Sequence, residues 1–266
     1  MIVKPALAAM LASGLIAPEV PKLVFPKPAI VKAENLDFSK HMLLGMPLTM
    51  GMLRGSSRNA FSLTYISQFA LGNAASSYTG TNQSLGSLVP SGNDRYIVIC
   101  THGCVNSTAG QISSVTVGGI AATRQYQISA SQGRPTEIWT LLNNSLTSGN
   151  VVVTTSTQQF AFGFSVWNLV NPSSPTPTYS AGTTFSSVTT GTLSFVMPTG
   201  GIGLALHSVN NSAGAFGTWT GATFQYSQLQ SSGAQSGALV TSTGTFNVTS
   251  TWTNSSNVTR VHAAWT

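Results

Sequence analysis

Charge is what this sequence has least of. Asp, Glu, Lys and Arg make up 6% of its 266 residues, against roughly 25% in ordinary soluble proteins. A surface without ions must be hydrated by something else, and Ser, Thr, Asn, Gln and Gly fill that role. Their hydroxyls and amides suit strands and turns better than helix interiors. Hydrophobic residues hold a 42% share. Low charge with adequate apolar content argues against intrinsic disorder, which needs the reverse.

Carboxylates are scarcer still, with five Asp plus Glu in the whole chain. Past residue 58 only Asp94 and Glu137 remain. A glycosidase needs two carboxylates a few ångströms apart, and these two read more simply. Asp94 sits in a turn signal beside Arg95, and Glu137 follows Arg134 and Pro135 at the start of a strand, as one half of a surface ion pair. No lysine follows Lys40, and there is neither a G-x-x-x-x-G-K-[ST] loop nor a G-x-S-x-G elbow. The inventory therefore points to a non-enzymatic protein, with no catalytic residues, no cofactor and no metal.

Cysteine is limited to Cys100 and Cys104, in "ICTHGCVNS", with His102 midway between them. If 94–102 is a strand, Tyr96, Val98, Cys100 and His102 share one face, and Ile97, Ile99 and Thr101 share the other. Strand residues four apart lie about 13 Å from each other, whereas a disulfide tolerates about 7 Å between Cα atoms. Pairing would need a sharp turn at Gly103. A zinc site would need further ligands, and His41, His207 and His262 are scattered. The two thiols read as packing at the end of a core strand.

What charge there is lies unevenly. The first 58 residues hold seven cations (all five lysines, Arg54 and Arg58) against Glu19, Glu34 and Asp37. The lysines are dispersed among apolar residues with no aromatic platform between them, so nucleic acid is not the expected partner. The same segment holds six of the twelve prolines. In "APEVPKLVFPKPAIVKAEN" they recur every few residues, which rules out a long helix and a central strand. Apolar, extended and without a core of its own, residues 1–58 read as an arm lying on another surface. Fully extended, residues 18–58 would reach about 135 Å.

Within that segment "PALAAMLASGLIA", residues 5–17, fits a short helix. Its rival reading is a signal peptide, disfavoured by Pro18 after Ala17; the run is too short to span a bilayer. "HMLLGMPLTMGMLRG", residues 41–55, offers four flexible thioethers, either to cap the following domain or to plug into a partner.

Residues 59–266 read as strands throughout. "DRYIVICTH", "SSVTVGG", "EIWTLLN", "NVVVTTS", "FAFGFSVWNLV", "TLSFVMP", "GIGLALHSV", "ATFQYSQL", "GTFNVTSTWT" and "VTRVHAAWT" are β-branched or aromatic runs. Turn signals at Ser91–Asp94, Gly118–Gly119, Ser148–Asn150 and Thr199–Gly201 separate them. That spacing predicts an all-β antiparallel sandwich, jelly-roll-like. "NPSSPTPTYS", 171–180, is placed as a crossing loop where the chain changes sheets. Phe160, Phe162 and Phe164 alternate with small residues, as a core face does. Trp219, between Gly and Thr residues, is either a loop-tip platform for a sugar or a rim residue covering a sheet edge.

The ordered series "NDRYIVICTHG…ISSVTVGGIAATRQ…RPTEIWTLLN…GNVVVTTST…FAFGFSVWNLVN" resembles β-sandwich modules of tailed-bacteriophage virion structural proteins, of the tail-fibre or capsid-decoration type. The likeness spans about residues 94–170. It is one of packing and turns, so it implies no catalytic residue. It implies a virion component, tail-associated as a fibre or its attachment piece, anchored to tail, adaptor or capsid subunits through residues 1–58, with a sandwich over 59–266. A homo-oligomer and a host-surface glycan are the further partners expected. A capsid decoration protein is the first alternative and a secreted carbohydrate-binding adhesin the second.

Overall fold

The computed structural model describes residues 60–266 except 72–74, 105–111, 129–135, 160, 211–215 and 231–232. They belong to one compact unit, Arg54–Thr266. The expectations placed on residues 1–58 lie outside the described residues. Among the described residues there is no helix. The expected all-β antiparallel architecture is what the molecule has.

Three sheets are stacked. The middle one runs in the order β1 (Ser62–Leu71), β9 (Ala161–Val170), β3 (Arg95–Cys104), β7 (Thr136–Leu142), β6 (Thr123–Ile128). On one side lies a four-stranded sheet of β2 (Ala75–Ser84), β8 (Ser148–Gln159), β4 (Ile112–Val117) and the short β5 (Ile120–Ala121). On the other lies a sheet of β10 (Tyr179–Met197), β15 (Gly244–Trp265), β11 (Ile202–Asn210), β14 (Gly233–Val240) and β13 (Thr223–Gln230), with β12 (Phe216–Thr220) paired to β15.

The middle sheet is buried on both faces, so its strands are apolar at odd and even positions alike. In β3, Ile97 and Ile99 point into the first core with Tyr78, Val115, Val153, Phe162 and Phe164. Val98 and Cys100 point into the second core with Trp167, Leu204, Leu206, Val261 and Trp265. The alternation expected for β3 and for Phe162 and Phe164 is therefore present, and each face has a separate sheet to fill.

The outermost layer comes from the third sheet folding over itself. β10 and β15 form a long antiparallel ribbon, from Tyr179↔Ala264 to Met197↔Gly244, whose register slips twice around Val188. Ser187 there has φ +53°, a left-handed conformation uncommon outside glycine, Asn and Asp. Bulges bend strands, and beyond this one the ribbon lies across its own base. Phe195, Met197 and Val248 of the far half pack on Ala205, Val240 and Ala264 of the near half. Val209, Ala234, Trp252 and Val258 close the other end.

The links follow the turn chemistry in most places. Gly92, Gly118, Gly119 and Gly200 adopt φ of +86°, +57°, +82° and +71° at three of the expected turns. The fourth, Ser148–Asn150, is instead the start of β8. Those residues pair with β2 through Ser84↔Ser148 and Gln83↔Gly149, and cross-strand pairing outweighs the local turn preference. Residues 171–178 carry the chain from the middle sheet to the third, as expected of the crossing loop. Arg95, fully buried, fastens two other loops. Its guanidinium donates to the carbonyls of Asn143 (2.9 Å), Ser87 (2.7 Å), Gly86 (3.3 Å) and Leu146.

Candidate functional site

The described residues place their chemistry-bearing side chains in two regions. The first is interior. On β15, Arg260 and His262 point between the two halves of the folded third sheet, and His207 on the neighbouring β11 joins them. All three are buried. His207 Nδ1 shares a hydrogen bond with Ser250 Oγ, and its Nε2 lies 3.2 Å from His262 Nε2. One of those two nitrogens donates and the other accepts, which a pair of neutral imidazoles satisfies.

Burial drives both histidines toward that neutral form. His207 sits well below the usual histidine range, first by burial and then because a charge on it would face His262 and the Arg260 cation. His262 is pushed down to about 3, first by burial and then by Arg260. Burial also lowers Arg260 to about 10. Its guanidinium lies over the Trp252 ring at 5.8 Å and against Gly191, where a β-carbon would sit 0.8 Å from Nη2.

A second serine–histidine contact, Ser208 Oγ to His102 Nδ1, lies between the middle and third sheets. It borders a void of about 10 Å³, room for a single water. A hydroxyl beside an imidazole has the makings of a nucleophile and base. Neither pair here opens onto space that could seat a substrate. Cys100 faces the same void, and burial pushes its thiol far up from the usual range. β3 runs straight through Gly103 to Cys104, so no turn brings the two cysteines together. Among the described residues no group of three or more His, Cys, Asp or Glu side chains is placed to hold a metal. Also among them, no helix is long and apolar enough to cross a membrane.

The two carboxylates weighed as a dyad are far apart. Glu137 pairs with Thr101 on β3, and Asp94 precedes the other end of that strand, about 23 Å away along it. Arg134 lies outside the described residues, and Glu137 is not a surface group. It is completely buried, because it shares the face of Trp139 and Leu141 at the edge of the first core. Its Oε1 accepts the Ile112 amide at 3.4 Å, and its Oε2 lies 3.7 Å from Arg124 Nε. Desolvation outweighs both contacts and pushes this carboxyl up to about 7.

Trp219 is not at a loop tip. It lies on β12, half-buried, stacked on His207 at 4.4 Å between ring centres and donating from Nε1 to Ser236 Oγ at 2.9 Å. Its polar atom and a ring face are used inside the fold, so it covers the polar interior as a rim residue does.

The second region is open. A groove of about 570 Å³ runs along the edge of the middle sheet. Thr140 and Leu142 of β7 form its floor, Thr123 and Gln125 of β6 one wall, Tyr96 of β3 an end, and Pro175 and Thr176 of the crossing loop an overhang. Gln125 Nε2 donates to Thr140 Oγ1 at 2.7 Å. Arg124 turns to the opposite face of the sheet, 5.0 Å over the Trp139 ring, and donates from Nη1 to Gln127 Oε1 at 2.6 Å. Little in the sequence warned of this place. Its one signal was "TRQYQ" opposite "EIWTLL", which sets Thr123 against Thr140 only once β6 and β7 are paired.

Set against models of known protein families, curated protein sequences and solved structures, the chain matches none.

Proposed function

We propose that this chain is a non-enzymatic structural protein of a bacteriophage virion, tail-associated as a fibre or its attachment piece, and held to the particle by residues 1–58. The observation that carries the reading is where its phage-like segment falls. Residues 94–170 supply β3 to β9, hence most of the first sandwich and four of the five strands of the middle sheet. The segment is a structural module, with its Gly118–Gly119 turn and its Ile138–Trp139 pair set into opposite cores. The modules it resembles serve as packing units of virion proteins.

Surface chemistry supports the same reading. No charged residue lies between Glu137 and Arg260, and Arg260 is buried. A neutral hydroxyl and amide shell gives neighbouring copies nothing to repel. The edge strand β13 exposes Phe224 and Leu229, at 50% and 61%, without the lysine or proline that usually guards such an edge. The partner it fits is a second copy of this chain, in line with a homo-oligomer.

The test is deletion of residues 1–58. The remaining protein is expected to be folded and soluble yet missing from purified particles. Normal incorporation of the truncated protein would overturn the attachment role.

A further inference from the structure

We propose that acid detaches the outer layer of the third sheet from its base and leaves the first sandwich folded, with His207, His262 and Arg260 beneath that layer as the sensor. The layer consists of residues 190–197 of β10, 244–252 of β15 and the strand β12. It meets the base at the bend, where the ladder slips on both sides of Val188 and Ser186, Ser187, Thr189, Thr253 and Asn254 are exposed. Turns at 198–201 and 241–243 tie its far end to β11 and β14. Detachment is therefore a local unfolding of this layer, not a swing about the bend.

The three sensing groups stand on the base and are covered from the outer layer. Ser250 Oγ meets His207 Nδ1, and the Trp219 ring lies 4.4 Å from that imidazole. Phe195 lies 5.1 Å from His262. Gly191 and the Trp252 ring enclose the Arg260 guanidinium. None of these coverings is acidic. From residue 138 to residue 266 the chain has no Asp or Glu, and Arg260 is its sole charged side chain, so β10 to β15 supply no counter-charge. A proton on either imidazole places a second cation beside Arg260, away from water. Protonating both sets N–H against N–H across the 3.2 Å contact of their Nε2 atoms. Contact with water relieves both conflicts.

The effect is selective because the outer layer has less to hold it. Its apolar contacts end on Ala205, Val240 and Ala264 of the base, whereas the first core packs Ile97, Ile99, Tyr78, Phe162 and Phe164 together. Glu137, at the edge of that core, favours the folded state when protonated, so acid strengthens the first sandwich where it weakens the histidine contacts. His102 lies on the opposite face of the third sheet, against Ser208, and belongs to a different contact. The behaviour is that of the isolated chain and does not depend on the virion reading, which incorporation into particles tests.

The experiment is hydrogen exchange of the full chain from pH 7 to pH 4.5, corrected for intrinsic exchange rates and read by mass spectrometry. Both histidines are neutral under the layer and return to about 6.5 once wet. Their contribution is thus complete above about pH 6.5 and lost below it, by up to ~10-fold in the opening equilibrium per pH unit and per histidine. Between pH 6.5 and 5, protection at 190–197 and 244–252 is expected to fall ~100-fold or more, while 95–103 and 161–170 keep theirs. The slope of log protection against pH counts the protons taken up and should approach two. His262→Gln should halve it, His207→Gln combined with His262→Gln should abolish it, and His102→Gln should leave it. Protection that stays level, or that is lost in step in both regions, would overturn the proposal. So would a slope that survives in the double variant or disappears in His102→Gln. Should the glutamine variants fail to fold, the unaltered protein decides: a slope below one overturns it.

Discussion

The titratable groups of this protein are few and mostly buried, so its pH response rests on a handful of residues. His262 is held at about 3 against an ordinary value near 6.5. The unfolded chain therefore binds protons that the folded chain refuses, and stability falls as pH drops below about 6.5. By pH 5, His262 alone accounts for about 2 kcal/mol, and His207 acts in the same direction. Glu137 has the opposite sign. Raised to about 7, it favours the folded state in its protonated form, and that contribution is lost as pH rises from about 4.5 through 7. Arg124, the Ile112 amide and Trp139 face it and pull the other way without prevailing. Urea unfolding midpoints are thus expected to peak near pH 6.5 and to fall more steeply on the acid side. Glu137→Gln should flatten the neutral side. A profile level between pH 5 and 8 would contradict the neutral, dry state of these histidines.

At the scale of the element, the bent ribbon β10–β15 shows what a strand pattern discloses and what it hides. The ten runs read as strands are strands, and the alternation in β3 was legible face by face, whereas β1, β2, β6, β12 and β14 were not singled out. The bend was not legible. "GTFNVTSTWT" and "VTRVHAAWT" read as two strands but form one, since Trp252 to Val258 carry no Gly or Pro to mark a break. Arg260 was equally opaque. A lone arginine among apolar residues reads as a surface charge until the ribbon folds over it and Gly191 makes room. That room can be tested. Gly191→Ala would put a methyl into the guanidinium and should cost about 1–3 kcal/mol, the usual penalty for overpacking. Made in an Arg260→Gln background, the same change should cost markedly less, a coupling that a double-mutant cycle measures. The groove over Thr140 and Leu142 was hidden for a related reason. Its wall, floor and overhang come from β6, β7 and residues 175–176, and only the sheet order brings them together.

At the scale of the whole molecule, three stacked sheets and a folded-over fourth layer make the middle sheet a shared wall with a core on each side. Each of the three sheets is open, and β13 is one of their edges. If this edge joins copies of the chain, Phe224→Lys with Leu229→Lys should reduce the mass seen by light scattering toward that of one chain and leave the thermal midpoint nearly unchanged. An unaltered mass would place the oligomer contact elsewhere. Long-range pairings such as Ser62↔Val170 and Tyr179↔Ala264 require large loops to close early, so folding should be slow for the chain's length.

The charge-free interval from Ile138 to Thr259 has a practical consequence as well. A trypsin-type protease, which cleaves only after lysine or arginine, has no bond to cut anywhere in that interval, whether the chain is native or boiled. Almost half the polypeptide would leave such a digest as one long fragment, and peptide mapping of this protein calls for an enzyme that cuts beside aromatic or aliphatic side chains.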